Sequence, residues 1–136
     1  MPQRFLAVFQ ALARLIFVPA IAIVVWGELE PGGTGPRVWD KLLHFTAYFG
    51  LAGIATVALG SLRGALWAGL SLAIFGGVLE IVQSFVGRDA EWGDEIANVI
   101  GVCAGVASGL ILLSVLRLLF FRQRLSEGEN GHGPVR

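Results

Sequence analysis

Four apolar stretches, roughly 5–26, 42–62, 65–86 and 96–121, fill most of this 136-residue chain. Each is long enough, or nearly so, to cross a hydrocarbon core that needs about 20 apolar residues. Composition points the same way: 55% of residues are hydrophobic, only 15% are charged, and the mean hydropathy is +0.73. A soluble domain this short rarely has such a balance. The expected fold is therefore all-α, a polytopic integral membrane protein with four transmembrane helices. The membrane domain is expected to span 1–121, and the polar, glycine-containing tail at 122–136 to be disordered and cytoplasmic.

The first stretch is the least regular, because Gln10 and Arg14 lie one helical turn apart and Pro19 follows. A secretory signal needs an uninterrupted apolar core, and Arg14 breaks it. We read a retained helix whose Arg14 snorkels toward the inner headgroups while residues 15–26 fill most of the bilayer.

Orientation follows from the ten basic residues. With both termini inside, the inner side holds Arg4, Arg14, Arg63, Arg117, Arg122, Arg124 and Arg136, and the outer side only Arg37, Lys41 and Arg88. The positive-inside rule therefore predicts cytoplasmic termini. Trp26, Trp39 and Trp92 would then mark the outer interface and Trp67 the inner one.

A net charge of zero offers no basic surface for nucleic acid, which excludes that class of partner. Cys103 is the only cysteine, so an intrachain disulfide or a cysteine metal cluster cannot form. No cofactor is indicated and no internal repeat is evident.

Within this apolar background the polar residues fall in a pattern. The second span opens with "DKLLHF", the third closes with "EIVQSF", and the fourth opens with "DEIANVIG", so polar groups from three helices meet at one membrane face. Asp40, His44 and Tyr48 recur every four residues and form one stripe. Glu80 and Ser84 share a stripe on the third span, with Gln83 beside them, and Asn98 borders a small-residue stripe of Gly101, Gly105 and Gly109 on the fourth. At 1.5 Å per residue, Glu80 lies about 10 Å below the break at Gly87 and His44 about 6 Å below Asp40. A charge in such a span costs on the order of 2.5 to 3.5 kcal/mol even on the lenient insertion scale, so these positions are functional candidates by default.

The segments "DKLLHFTAYFGLAG" and "GGVLEIVQSFVGRDAEWGDEIANVIGVCAG" resemble the VanZ-like membrane proteins. That family's pattern is matched by Asp40, Lys41, His44, Tyr48, Glu80, Gln83, Arg88, Asp94 and Asn98, over about half of the chain. The resemblance implies a multi-pass protein of the bacterial cytoplasmic membrane. Its founding member is associated with low-level resistance to the glycopeptide teicoplanin, so a link to glycopeptide resistance is an expectation of that likeness.

Three roles remain open at this stage. His44, Glu80 and Asp94 could be the acid/base groups of an enzyme, with Asp40, Lys41, Tyr48, Gln83, Arg88 and Asn98 binding an anionic headgroup. The same cluster could bind a membrane lipid or a lipid-linked cell-envelope precursor without chemistry. It could also be a non-catalytic scaffold whose polar groups only fix helix packing. A metal site is a weak reading: His44, Glu80 and Asp94 offer one nitrogen and two carboxylates, but without a paired-ligand motif. The hydroxyls of Thr46 and Ser84 lack an activating motif. Cys103 reads as a small apolar filler, Glu28, Glu30, Arg37 and Glu91 as solvated loop charges, and His132 as part of the tail. The glycine stripe is available for oligomerisation if the bundle does not use it.

Overall fold

The computed structural model describes residues 2–30, 37–86 and 91–130, with side chains over 4–30, 39–86 and 91–123. These residues form four α-helices: α1 (Pro2–Leu29), α2 (Arg37–Leu59), α3 (Leu62–Gln83) and α4 (Trp92–Asn130). The segments Arg4–Leu29, Trp39–Leu59, Leu62–Gln83 and Trp92–Gln123 are each long and apolar enough to cross a membrane, which suggests a multi-pass membrane protein.

The turns follow local chemistry. Gly60 takes φ +64°, the left-handed conformation that ends a helix cheaply only in glycine, and its N–H donates to Thr56 O at 3.0 Å. Ser61 then caps α3, its hydroxyl accepting the Gly64 N–H at 3.1 Å. This short link folds α3 back beside α2. At the other end Asp40 lies in the first turn of α2, and Asp94 and Glu95 in that of α4, where the helix dipole favours anions.

Packing is organised around α2. Its apolar window is 44% buried within the bundle, against 6% for that of α1, so α2 is central and α1 lies on its flank. The tightest contact is between α2 and α4, along the glycine stripe. A Cβ at Gly101 would collide with Phe45 O, and one at Gly105 with Phe49 O and, at 3.0 Å, with Gly53 N. At Gly109 it would meet the Thr56 Cβ at 2.8 Å. The bundle therefore uses the stripe itself, so the condition under which these three glycines would be available for oligomerisation is not met.

Arg14 also has a more specific place than snorkelling. Its Nε donates to Ala58 O at 3.0 Å, while Arg117 Nη2 donates to Gly60 O at 2.5 Å. Two guanidinium groups from α1 and α4 thus satisfy carbonyls left open at the C-terminal end of α2, where cations are favoured. Finally, α4 continues to Asn130, past the boundary expected after Phe121. The backbone of 122–130 is helical where disorder was expected, because the run "RQRLSE" is made largely of good helix formers. Residues 131–136, with His132, lie outside the described residues.

Candidate functional site

The end of the bundle formed by the C-termini of α1 and α3 and the N-termini of α2 and α4 carries buried polar side chains from all four helices. Glu28, His44, Glu80, Gln83, Asp94 and Asn98 are all buried, and Tyr48 is 0% exposed. The polar residues singled out in "DKLLHF", "EIVQSF" and "DEIANVIG" do meet there, apart from Ser84, which is exposed. Arg88 lies outside the described residues.

His44 is the hub. Its Nδ1 lies 3.1 Å from Asn98 Oδ1 and 3.4 Å from Glu28 Oε1. Asn98 donates its amide NH2 to Glu95 Oε2 at 3.3 Å, which turns its carbonyl oxygen toward the imidazole. Asn98 Oδ1 at hydrogen-bonding distance and the Glu28 carboxylate as a nearby charge both favour the proton on Nδ1, which leaves the lone pair of the neutral ring on Nε2.

Around this hub the network closes on itself. Glu28 Oε2 accepts from the Tyr48 hydroxyl at 3.5 Å, and its backbone carbonyl accepts from Gln83 Nε2 at 3.0 Å. Lys41 Nζ donates to both Asp94 Oδ1 and Glu91 Oε2 at 2.9 Å. Glu80 Oε2 accepts the Glu91 N–H at 3.3 Å, while its Oε1 is buried with no hydrogen-bond partner among the described residues. Asp40 sits at the rim, half-buried. A cavity of about 230 Å³ opens between α1 and α2, lined mainly by apolar groups such as Ile23, Val24, Leu43 and Ala47, with Glu28, Asp40 and His44 as its polar residues.

Several expectations need correction here. Glu28 is a buried partner of His44 and Tyr48 rather than a solvated loop charge. It lies on α1 in register with Phe17, Ile21 and Val24, three residues packed against the core, so the 3–4 spacing of that stripe was the signal that pointed to it. Glu91 likewise pairs with Lys41 and is half-buried. Cys103 is exposed on α4 instead of filling the core, because the glycine stripe occupies the face that packs on α2. The hydroxyls of Thr46 and Ser84 bond to Leu42 O and Ile81 O of their own helices, which leaves neither poised as a nucleophile.

Lys41 is engaged by two carboxylates, those of Glu91 and Asp94. Comparison with protein-family models, with curated proteins and with solved structures finds no match to this chain.

Proposed function

We propose that this chain is a VanZ-like multi-pass protein of the bacterial cytoplasmic membrane, with both termini cytoplasmic. Its outward-facing polar pocket binds or modifies the headgroup of an anionic, lipid-linked cell-envelope component. His44 is the acid/base group, oriented by Glu28 and Asn98. Glu80 is its acidic counterpart, and Tyr48 and Gln83 hold Glu28 in place. Arg88, in the break between α3 and α4, reads a phosphate at the rim with the planar fork that suits bidentate contact. A link to glycopeptide resistance belongs to the same proposal.

The observation that supports this most is His44 itself: a 4%-exposed imidazole whose Nδ1 lies 3.1 Å from Asn98 Oδ1 and 3.4 Å from the Glu28 carboxylate, beside an open cavity. A histidine needed only for packing would not require a carboxylate to fix its tautomer. The second reading, a scaffold, draws on the mutual saturation of Lys41, Glu91 and Asp94.

Two measurements test the proposal. Lipid extraction of purified protein should find a co-purifying phospholipid or polyprenyl phosphate that is lost in Arg88→Lys as well as in Arg88→Ala. Unchanged retention in both variants would contradict the phosphate contact and leave Arg88 in a surface pairing that contributes about 0 to 1 kcal/mol. For orientation, single cysteines at Glu30 or Glu91, in a Cys103→Ala background, should react with an impermeant thiol reagent on intact spheroplasts, and one at Ser126 should not. The reverse labelling pattern inverts the topology.

A further inference from the structure

At the end of the bundle opposite His44, two arginines meet the turn between α2 and α3. Arg14 of α1 donates from Nε to Ala58 O at 3.0 Å, and Arg117 of α4 donates from Nη2 to Gly60 O. Arg63 stands in the first turn of α3, three residues past Gly60. None of these three arginines has a carboxylate partner among the described residues. Beside Arg14 a cavity of about 510 Å³ lies between α1, α2 and α3, and its walls are apolar apart from Arg14 and Ser71. We infer that this cavity binds an anionic phospholipid, with the phosphate on Arg14 and an acyl chain in the space behind it.

The cavity has a polar end and an apolar end. Arg14, Ala58 and Leu59 line it near the turn, while Ile21 and Phe75 line it deeper in the bundle. At 1.5 Å per residue, Ile21 lies about 10 Å from Arg14 along α1, or roughly two-thirds of one leaflet of a hydrocarbon core about 30 Å thick. A cation at the shallow end, with hydrocarbon walls running toward the midplane, is the order in which a phospholipid presents its phosphate and its chain. The bond from Nε to Ala58 O orients the guanidinium and leaves its two Nη groups without a hydrogen-bond partner among the described residues. That edge of the planar fork matches two phosphate oxygens. Arg63 and Arg117 add positive charge at the same end, which selects a headgroup of net negative charge over a zwitterionic one.

The other flank of α1 provides a comparison within the same molecule. A cavity of about 460 Å³ between α1, α2 and α4 is equally apolar, but no charged residue lines it. Nothing there chooses a headgroup. The Arg14 site is also separate from the pocket around His44, because the α2 segment from His44 to Ala58 is roughly 21 Å long. With the orientation proposed above it faces the cytoplasmic leaflet. Only 6% of the apolar window of α1 is buried within the bundle, so a lipid wedged between α1, α2 and α3 ties down the helix that the protein itself holds least. Binding to the folded bundle alone then raises its stability.

The test uses full-length protein in detergent, delipidated and then titrated with phosphatidylglycerol or phosphatidylcholine, with lipid adducts counted by native mass spectrometry. The wild type should prefer phosphatidylglycerol, and its thermal midpoint should rise further with that lipid than with phosphatidylcholine. Arg14→Gln should cut the preference by about fivefold, the contribution of one basic residue beside an anionic headgroup. Arg122→Gln, at an exposed position of α4 outside the cavity walls, should leave it unchanged. Arg88→Ala should leave it unchanged as well, which scores this site apart from the headgroup pocket. Should Arg14→Gln lose its monodisperse size-exclusion peak, Ser71→Phe carries the comparison: it fills the cavity, keeps Arg14 and should lower phosphatidylglycerol adducts by a similar factor. Equal binding of the two lipids by the wild type, or binding unchanged in either variant when it is folded, overturns the site. A preference that falls as far in Arg122→Gln shows general attraction to basic residues, and one that falls in Arg88→Ala places the lipid at the other end; either overturns it too.

Discussion

Gly105→Leu is expected to abolish the folded bundle. A Cβ at Gly105 would already collide with Phe49 O and stand 2.9 Å from the Ala52 Cβ and 3.0 Å from Gly53 N, so the obstacle is largely backbone and cannot rotate away. Ordinary overpacking costs about 1 to 3 kcal/mol because side chains adjust. Here α4 as a whole would have to move off α2, and Gly101 and Gly109 hold the same line of contact. The expected result in detergent is loss of the monodisperse size-exclusion peak and of a cooperative thermal transition. Gly50→Ala is the matched control, since nothing lies within 4 Å of its added Cβ. It should be neutral or stabilising by roughly 0.5 to 1 kcal/mol, the usual helix preference for alanine. Gly105→Leu melting like the wild type would contradict the packing described.

The second helix owes its central place to the same feature. Because α4 approaches so closely, the Asp40–His44–Tyr48 stripe of α2 and the Asp94–Asn98 stripe of α4 lie side by side, which brings Asn98 Oδ1 to 3.1 Å from His44 and Asp94 Oδ1 to 2.9 Å from Lys41. Small residues that let backbones touch are what allow short polar side chains to reach one another within an apolar bundle. Site and packing are in this sense one construction.

What could be read from the sequence was whatever depends on one helix at a time. The four spans follow from the length of the apolar runs, and the stripes on α2 and α4 from a period of 3.6 residues. Rotation of one helix against another does not follow from such patterns. That is why the partner of the glycine stripe was unassigned. Glu28 was missed for a different reason. Ending the first span at Trp26 placed Glu28 in a loop, although α1 runs to Leu29 and carries it onto the buried face. Arg14 could not be understood from its own surroundings, because its partner is a carbonyl 44 positions away.

The central claim is that the polar cluster does work beyond fixing helix register, and Glu80→Gln tests it most directly. The change keeps the shape and the acceptor for the Glu91 N–H, now 3.3 Å from Glu80 Oε2, and removes the charge and the titration. An amide is also cheaper to bury than a carboxylate, by several kcal/mol when the charge lacks a partner. If the cluster only fixed packing, this substitution would be silent or stabilising in every assay. If the carboxyl takes part in the work of the cluster, the envelope phenotype that depends on the protein should be lost while the thermal midpoint in detergent stays the same or rises. The measurement is therefore complementation of a deletion strain together with the thermal midpoint of the same Glu80→Gln variant. Loss of complementation with an intact midpoint is the predicted result. Full complementation, whatever the midpoint does, would contradict the account.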